Sequence, residues 1–156
     1  MRRNSPIASA GQAGFTLIEL LIVAVILGAL AALAIPNFQR AVERARVVKA
    51  IGDITVIQQA CQEYFLENSS YPTSLTQVGW DGLADPWGRP YEYLRVEGAS
   101  VGALRKDRFL VPINSDFDLY SMGPDGASNP PLNAARSRDD IVRANDGGFV
   151  GIAEEF

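Results

Sequence analysis

Gly14-Phe15-Thr16-Leu17-Ile18-Glu19-Leu20-Leu21-Ile22-Val23-Ala24-Val25-Ile26-Leu27-Gly28-Ala29-Leu30-Ala31-Ala32-Leu33-Ala34-Ile35-Pro36 is the stretch that decides the fold. From residue 15 to residue 35 there are 21 positions, and Glu19 carries the only charge among them. As an α-helix this run is roughly 31 Å long, enough to cross a hydrocarbon core. Ahead of it stand fourteen residues whose only charges are Arg2 and Arg3, the cationic flank expected on the cytoplasmic side. The run therefore reads as a membrane segment.

Glu19 makes that segment more than an anchor. A carboxylate inside an apolar helix is costly and calls for a partner, and residues 15–35 hold no cation. A cut between Gly14 and Phe15 would expose a new α-amino group one helical turn from Glu19. The carboxylate could then pair with the amine of its own chain or of a neighbour, and the second pairing makes the helix an assembly device.

The junction Gly14-Phe15-Thr16-Leu17-Ile18-Glu19-Leu20 resembles the processing site of type IV pilins and of the pseudopilins of type II secretion. The resemblance implies that a prepilin peptidase cuts after Gly14 and N-methylates Phe15, with Glu19 as the family's acidic fifth residue. It also implies a filament stem that unwinds between Gly28 and Pro36. Two other readings fit parts of the stretch. A secretory signal would use Ala32-Leu33-Ala34 as its exit and release a soluble binding module after Ala34, but Glu19 interrupts its apolar centre. A plain single-span anchor explains the length but neither Glu19 nor the Gly-Phe junction.

Composition narrows the function classes. The chain has 156 residues, 18 acidic and 14 basic, for a net charge of −4. Loss of the leader with Arg2 and Arg3 would make the mature product two charges more negative, a poor match for a nucleic-acid groove. No histidine is present, which excludes imidazole catalysis and histidine metal sites. Cys61 is the only cysteine, so no intramolecular disulfide can tie down the C-terminal loop. Carboxylate-pair catalysis would have to use Asp116/Asp118 or Asp139/Asp140, and adjacent aspartates on a strand point to opposite faces. An enzyme is not expected.

Gly28 and Ala32 form a small-xxx-small pair that lets helices approach closely in lipid. Pro36 cannot donate to the Ala32 carbonyl and should kink or loosen the helix. Beyond it, Phe38, Val42, Ala45, Val48, Ile51, Ile54, Ile57, Cys61, Tyr64 and Phe65 recur mostly at spacings of three and four, the stripe of an amphipathic helix reaching to about Leu66. Asn68-Ser69-Ser70-Tyr71-Pro72 ends it, with a weak sequon at Asn68, and a short helix is expected within 73–78. Asp85-Pro86-Trp87-Gly88 fits a type I turn. Short strands are expected at 91–94, 109–111, 118–121, 139–142 and 149–152, with turns at 123–126 and 145–148. The expected organisation is a leader at 1–14, a transmembrane and assembly helix at 15–35, its amphipathic continuation at 36–70, and a globular domain at 71–156. The class is α+β: one long helix packed on a small antiparallel sheet.

Asp85-Pro86-Trp87-Gly88-x-Pro90-Tyr91 and Asp118-Leu119-Tyr120-Ser121-x-Gly123-x-Asp125-Gly126, closing on Asp139-Asp140-Ile141, look like the globular domain of the type II major pseudopilin. The resemblance implies a calcium ion held by Asp125, Asp139 and Asp140 with the Leu119 carbonyl. It implies further that the protein is a non-catalytic subunit in the bacterial inner membrane with a periplasmic domain, polymerising with itself into a pseudopilus. Its partners would be the prepilin peptidase, the inner-membrane assembly platform, minor pseudopilins, and membrane lipid before assembly. A type IV pilus subunit for adhesion, motility or DNA uptake is the near alternative. The sequence departs from the family in lacking the Gly-Gly loop before the last aspartates, in a longer loop there, and in continuing through 142–156.

Overall fold

A computed structural model describes residues 14–156; residues 1–13, with Arg2 and Arg3 and most of the expected leader, lie outside the described part. The element order is one long helix, α1 (Leu17–Asn68), then strands β1 (Glu92–Arg95), β2 (Phe117–Ser121), β3 (Ile141–Ala144) and β4 (Phe149–Ile152), with short 3-10 turns between and after them. This is the expected α+β class. The chain divides into two compact units, one ending at Ala41 and one spanning Val42–Phe156.

In the first unit the helix is long and apolar enough to cross a membrane. It runs unbroken through Pro36, where a kink or loosening was expected. The proline removes the donor that Ala32 would use, while the Asn37 side-chain amide donates to the Leu33 carbonyl at 3.1 Å.

The second unit is built on an antiparallel meander in the order β1-β2-β3-β4. Along β2 and β3, alternate residues face opposite sides, as the pleat dictates. Phe117, Leu119 and Ile141 join Ala50, Ile54, Ile57 and Cys61 of α1 and Tyr91 in one core, all of them buried. The spacing of those four helical residues, four, three and four, is one face of an α-helix. Each buried isoleucine contributes about 1.5–3 kcal/mol relative to exposure. Burial also pushes the Cys61 thiol up to about 12, so it is a packed hydrophobe. On the other face, Val142 and Ala144 pack with Ile113, Leu132 and Ala153 beneath the C-terminal loops.

Several boundaries differ from expectation. The apolar stripe is in phase with Val47 and Ala50, not Val48, which is exposed; Arg44 and Arg46 take other faces, and the helix reaches Asn68. β1 begins at Glu92 and β3 at Ile141, so Asp139-Asp140 precedes its strand. The Phe109-Leu110-Val111 run is no strand. It sits at the tip of a loop closed by Asp107 N–H to the Leu110 carbonyl and Ile113 N–H to the Arg105 carbonyl, both 3.0 Å, and Phe109 is exposed. The short helix is a 3-10 turn, Leu75–Val78, whose preceding Ser74 makes no side-chain cap.

The turns follow their chemistry. Gly88 N–H donates to the Asp85 carbonyl at 2.9 Å, and the Asp85 carboxylate accepts from the amides of Trp87 and Arg89. Asn145-Asp146-Gly147-Gly148 joins β3 to β4, with Asn145, Asp146 and Gly147 all at positive φ. That is the conformation these residue types tolerate best.

Candidate functional site

The first unit holds the residues expected to act in processing and assembly. Gly14 and Phe15 precede the helix, and the Phe15 side chain is exposed. Thr16 is the last residue before the helix. Its amide and its hydroxyl both donate to Glu19 Oε2 at 2.8 Å, and Glu19 N–H donates back to the Thr16 hydroxyl at 3.3 Å. This reciprocal arrangement is a capping box, spelled in the sequence as Thr-Leu-Ile-Glu. Two local donors therefore orient the Glu19 carboxylate without a cation in this chain. At Gly28 an added Cβ would meet nothing within 4 Å in this chain, so close packing inside the protomer does not demand this glycine.

The second unit carries two buried arginines that the sequence reading did not single out. Arg143 lies on the helix-facing side of β3, its side chain fully buried. Its guanidinium donates to both Asp116 carboxylate oxygens at 2.7 and 2.6 Å, to Gln58 Oε1 at 2.9 Å and to the Phe117 carbonyl at 2.9 Å. It also covers the Phe117 ring at 4.0 Å. Arg105 lies on the opposite face, within a layer of buried polar groups that includes Asn114, Asp118, Ser137 and Asp140. Its amide donates to Asp118 Oδ2 at 2.6 Å, and the Asn114 side-chain amide donates to Asp118 Oδ1 at 2.9 Å. Its guanidinium reaches Asp140 Oδ2 at 2.6 Å, the Ser128 hydroxyl at 2.5 Å and the Asn129 carbonyl at 2.7 Å, while stacking on Tyr120 at 4.2 Å. Burial raises the Asp118 carboxyl, and it pushes Asp140 up to about 6 against the opposing pull of Ser128 and Arg105.

Residues 9–35 match the family described as the prokaryotic N-terminal methylation motif. The type II secretion system core protein G of Pseudomonas aeruginosa is 37% identical over 147 residues, covering 80% of this chain and 92% of that one. Those of Klebsiella pneumoniae and Escherichia coli K12 are 35% and 34% identical, covering 83% and 76% of this chain and 92% and 86% of theirs. This chain belongs to the type II secretion core protein G family, the major pseudopilins. No solved structure matches it.

Core protein G membership raises the calcium expectation, and the residues present do not fit it. Among the described residues no group of three acidic side chains converges. Asp140 Oδ2 is shared by Arg105 and the Ser128 hydroxyl. Asp125 Oδ1 accepts the Ala127 amide at 2.7 Å, closing its own turn, and Asp139 Oδ2 accepts the Asp125 amide at 3.2 Å. Leu119 is buried in β2, in register with Tyr93. Calcium takes 6–8 oxygens, and a guanidinium already stands at the most buried of the three aspartates.

The carboxylate pairs weighed for hydrolysis are separated by their bonding. Asp116 is committed to Arg143, Asp118 to Asn114 and the Arg105 amide, and Asp140 to Arg105. Each of these aspartates therefore has a structural partner.

Proposed function

We propose that this chain is a structural, non-enzymatic subunit of a type II secretion pseudopilus. A prepilin peptidase cuts it between Gly14 and Phe15 and N-methylates Phe15. The apolar helix first anchors it in lipid of the bacterial inner membrane with the globular domain on the periplasmic side. Self-assembly on an inner-membrane platform, together with minor pseudopilins, then draws the helices into a filament.

One observation carries this reading: a single carboxylate, Glu19, in an otherwise uncharged run that begins at a Gly-Phe junction, in a chain of the core protein G family. In the filament Glu19 pairs with the Phe15 amine of a neighbouring subunit. The Thr16 bonds support that role, because they keep the carboxylate oriented at the first helical turn while it lacks a cation. Gly28 and Ala32 let stems approach, and Pro36 leaves a free Ala32 carbonyl where a stem can loosen.

The test is complementation of a deletion strain. Loss of exoprotein secretion, restored by the wild-type gene and not by Gly14→Val, is the expected result. Normal secretion in the deletion strain, with loss of an extended surface filament instead, would replace the pseudopilus by a type IV pilus.

A further inference from the structure

The segment 103–115 crosses the outer face of the sheet, and one of its residues, Arg105, bonds to three other segments there. Arg105 is 3% exposed and Asp140 0%. From this one residue, bonds run to β2 through Asp118, to the 127–132 loop through Ser128 and Asn129, and to the residue preceding β3, Asp140. The neighbouring backbone repeats the connection: Lys106 N–H donates to the Pro130 carbonyl at 3.1 Å, and Leu132 N–H to the Lys106 carbonyl at 2.9 Å. The guanidinium gathers oxygens from two separate segments, 128–129 and Asp140, while the Arg105 amide holds Asp118 of β2, so one residue ties together what a structural metal ion would, with the charge supplied by the chain itself.

We infer that Arg105 takes the place of the calcium ion expected of this family, closing the C-terminal loops through its bonds to Asp140, Ser128 and Asn129, so that this domain folds independently of calcium. The donor set argues for it. A divalent ion beside Asp140 would stand next to a buried guanidinium, and like charges repel strongly where water is excluded. Of the Asp140 oxygens only Oδ1 lacks a partner, and Arg105 Nε likewise has none. At the most buried of the three aspartates only one oxygen is therefore open to an ion that takes 6–8. A guanidinium also suits the task geometrically, since its fixed fork reaches a carboxylate on one arm and a hydroxyl and a carbonyl on the other. The lengthened loop is part of the same arrangement, because it supplies Ser128 and Asn129 as acceptors.

The experiment uses the full chain in detergent micelles, unfolded thermally after chelation and again with millimolar calcium chloride, alongside a calcium titration by calorimetry. The expected result is the same midpoint in both buffers and no saturable calcium binding. Arg105→Gln should lower the midpoint by on the order of 10 °C, because it strands the buried Asp140 carboxylate. Adding Asp140→Asn to Arg105→Gln should recover part of that loss by removing the stranded charge. A calcium-dependent rise of the wild-type midpoint, or saturable calcium binding, would overturn the inference even if Arg105→Gln failed to fold. An unchanged midpoint in Arg105→Gln, or a double variant no more stable than the single one, would overturn it as well.

Discussion

Arg143→Met removes one charge from the interior while keeping most of the side-chain length, and the structure gives the size of the effect. Four hydrogen bonds are lost, two of them to Asp116, whose side chain is 11% exposed and loses its cationic partner. Breaking a buried pair from one side costs about 3–5 kcal/mol, far more than the pair contributes relative to apolar residues. The total stability of such a domain is roughly 5–15 kcal/mol, so the variant should lose a large fraction of it. At about 4 °C per kcal/mol for a domain near this size, the midpoint should fall by about 12–20 °C. Urea and thermal unfolding of the full chain in detergent, followed by the fluorescence of Trp80 and Trp87, reads this directly. Arg143→Met with Asp116→Leu should be markedly more stable than Arg143→Met alone, since no charge is then stranded. Arg143→Lys should not rescue, because an ammonium cannot serve Asp116, Gln58 and the Phe117 carbonyl together. A loss below about 1 kcal/mol for Arg143→Met, or losses for Arg143→Met and Asp116→Leu that simply add, would refute the reasoning.

Three further outcomes follow from the same structure. Glu19→Gln keeps an oxygen to accept the Thr16 bonds but no charge, so it should insert in the membrane and fail to assemble, as Glu19→Ala should; wild-type filament yield from the glutamine variant would reduce Glu19 to a helix cap. Gly123→Ala drives a methyl into the Asp139 carbonyl oxygen at a φ of +61°, and should cost more than about 2 kcal/mol in unfolding free energy. Burial raises the Asp146 carboxyl, but bonds from the Ser115 amide and hydroxyl outweigh it and hold it below the ordinary aspartate range. A lowered folded-state value means that its stabilisation is present above the unfolded value near 4 and lost as pH falls through the folded one. Stability measured across that acid window should fall more steeply for the wild type than for Asp146→Asn.

Much of this protein was legible in the sequence because its strongest signals are local. Twenty-one positions with one charge specify a helix long and apolar enough to cross a membrane, and the 3.6-residue period of Ile54, Ile57 and Cys61 specifies the face that builds the core. The hairpin at Asn145-Asp146-Gly147-Gly148 was equally readable, because those residues accept positive φ. The capping box is legible too, in Thr16 and Glu19 three residues apart at the start of the apolar run. What could not be read was which arginines go inside. Arg105 lies among Leu104, Lys106 and Asp107, a surface-like neighbourhood, and its burial depends on acceptors 13 to 35 residues further along the chain. Arg143 offered a weak signal, a charge between Val142 and Ala144 in a run with strand character. Phe109-Leu110-Val111 misled for the same reason in reverse: it has strand composition, but the loop that carries it folds back on itself and leaves the run no neighbour to pair with. The calcium expectation came from the family resemblance carried by Asp125, Asp139 and Asp140, and a guanidinium supplied from another segment changes what those aspartates can hold.

The central claim is that the chain is processed as a pseudopilin and assembled through the end that processing creates. Intact-mass measurement of the protein purified from its native membrane tests it most directly. The account predicts a chain beginning at Phe15 and heavier by one methyl group. A chain beginning at Ile35, or one that keeps its leader, would contradict it.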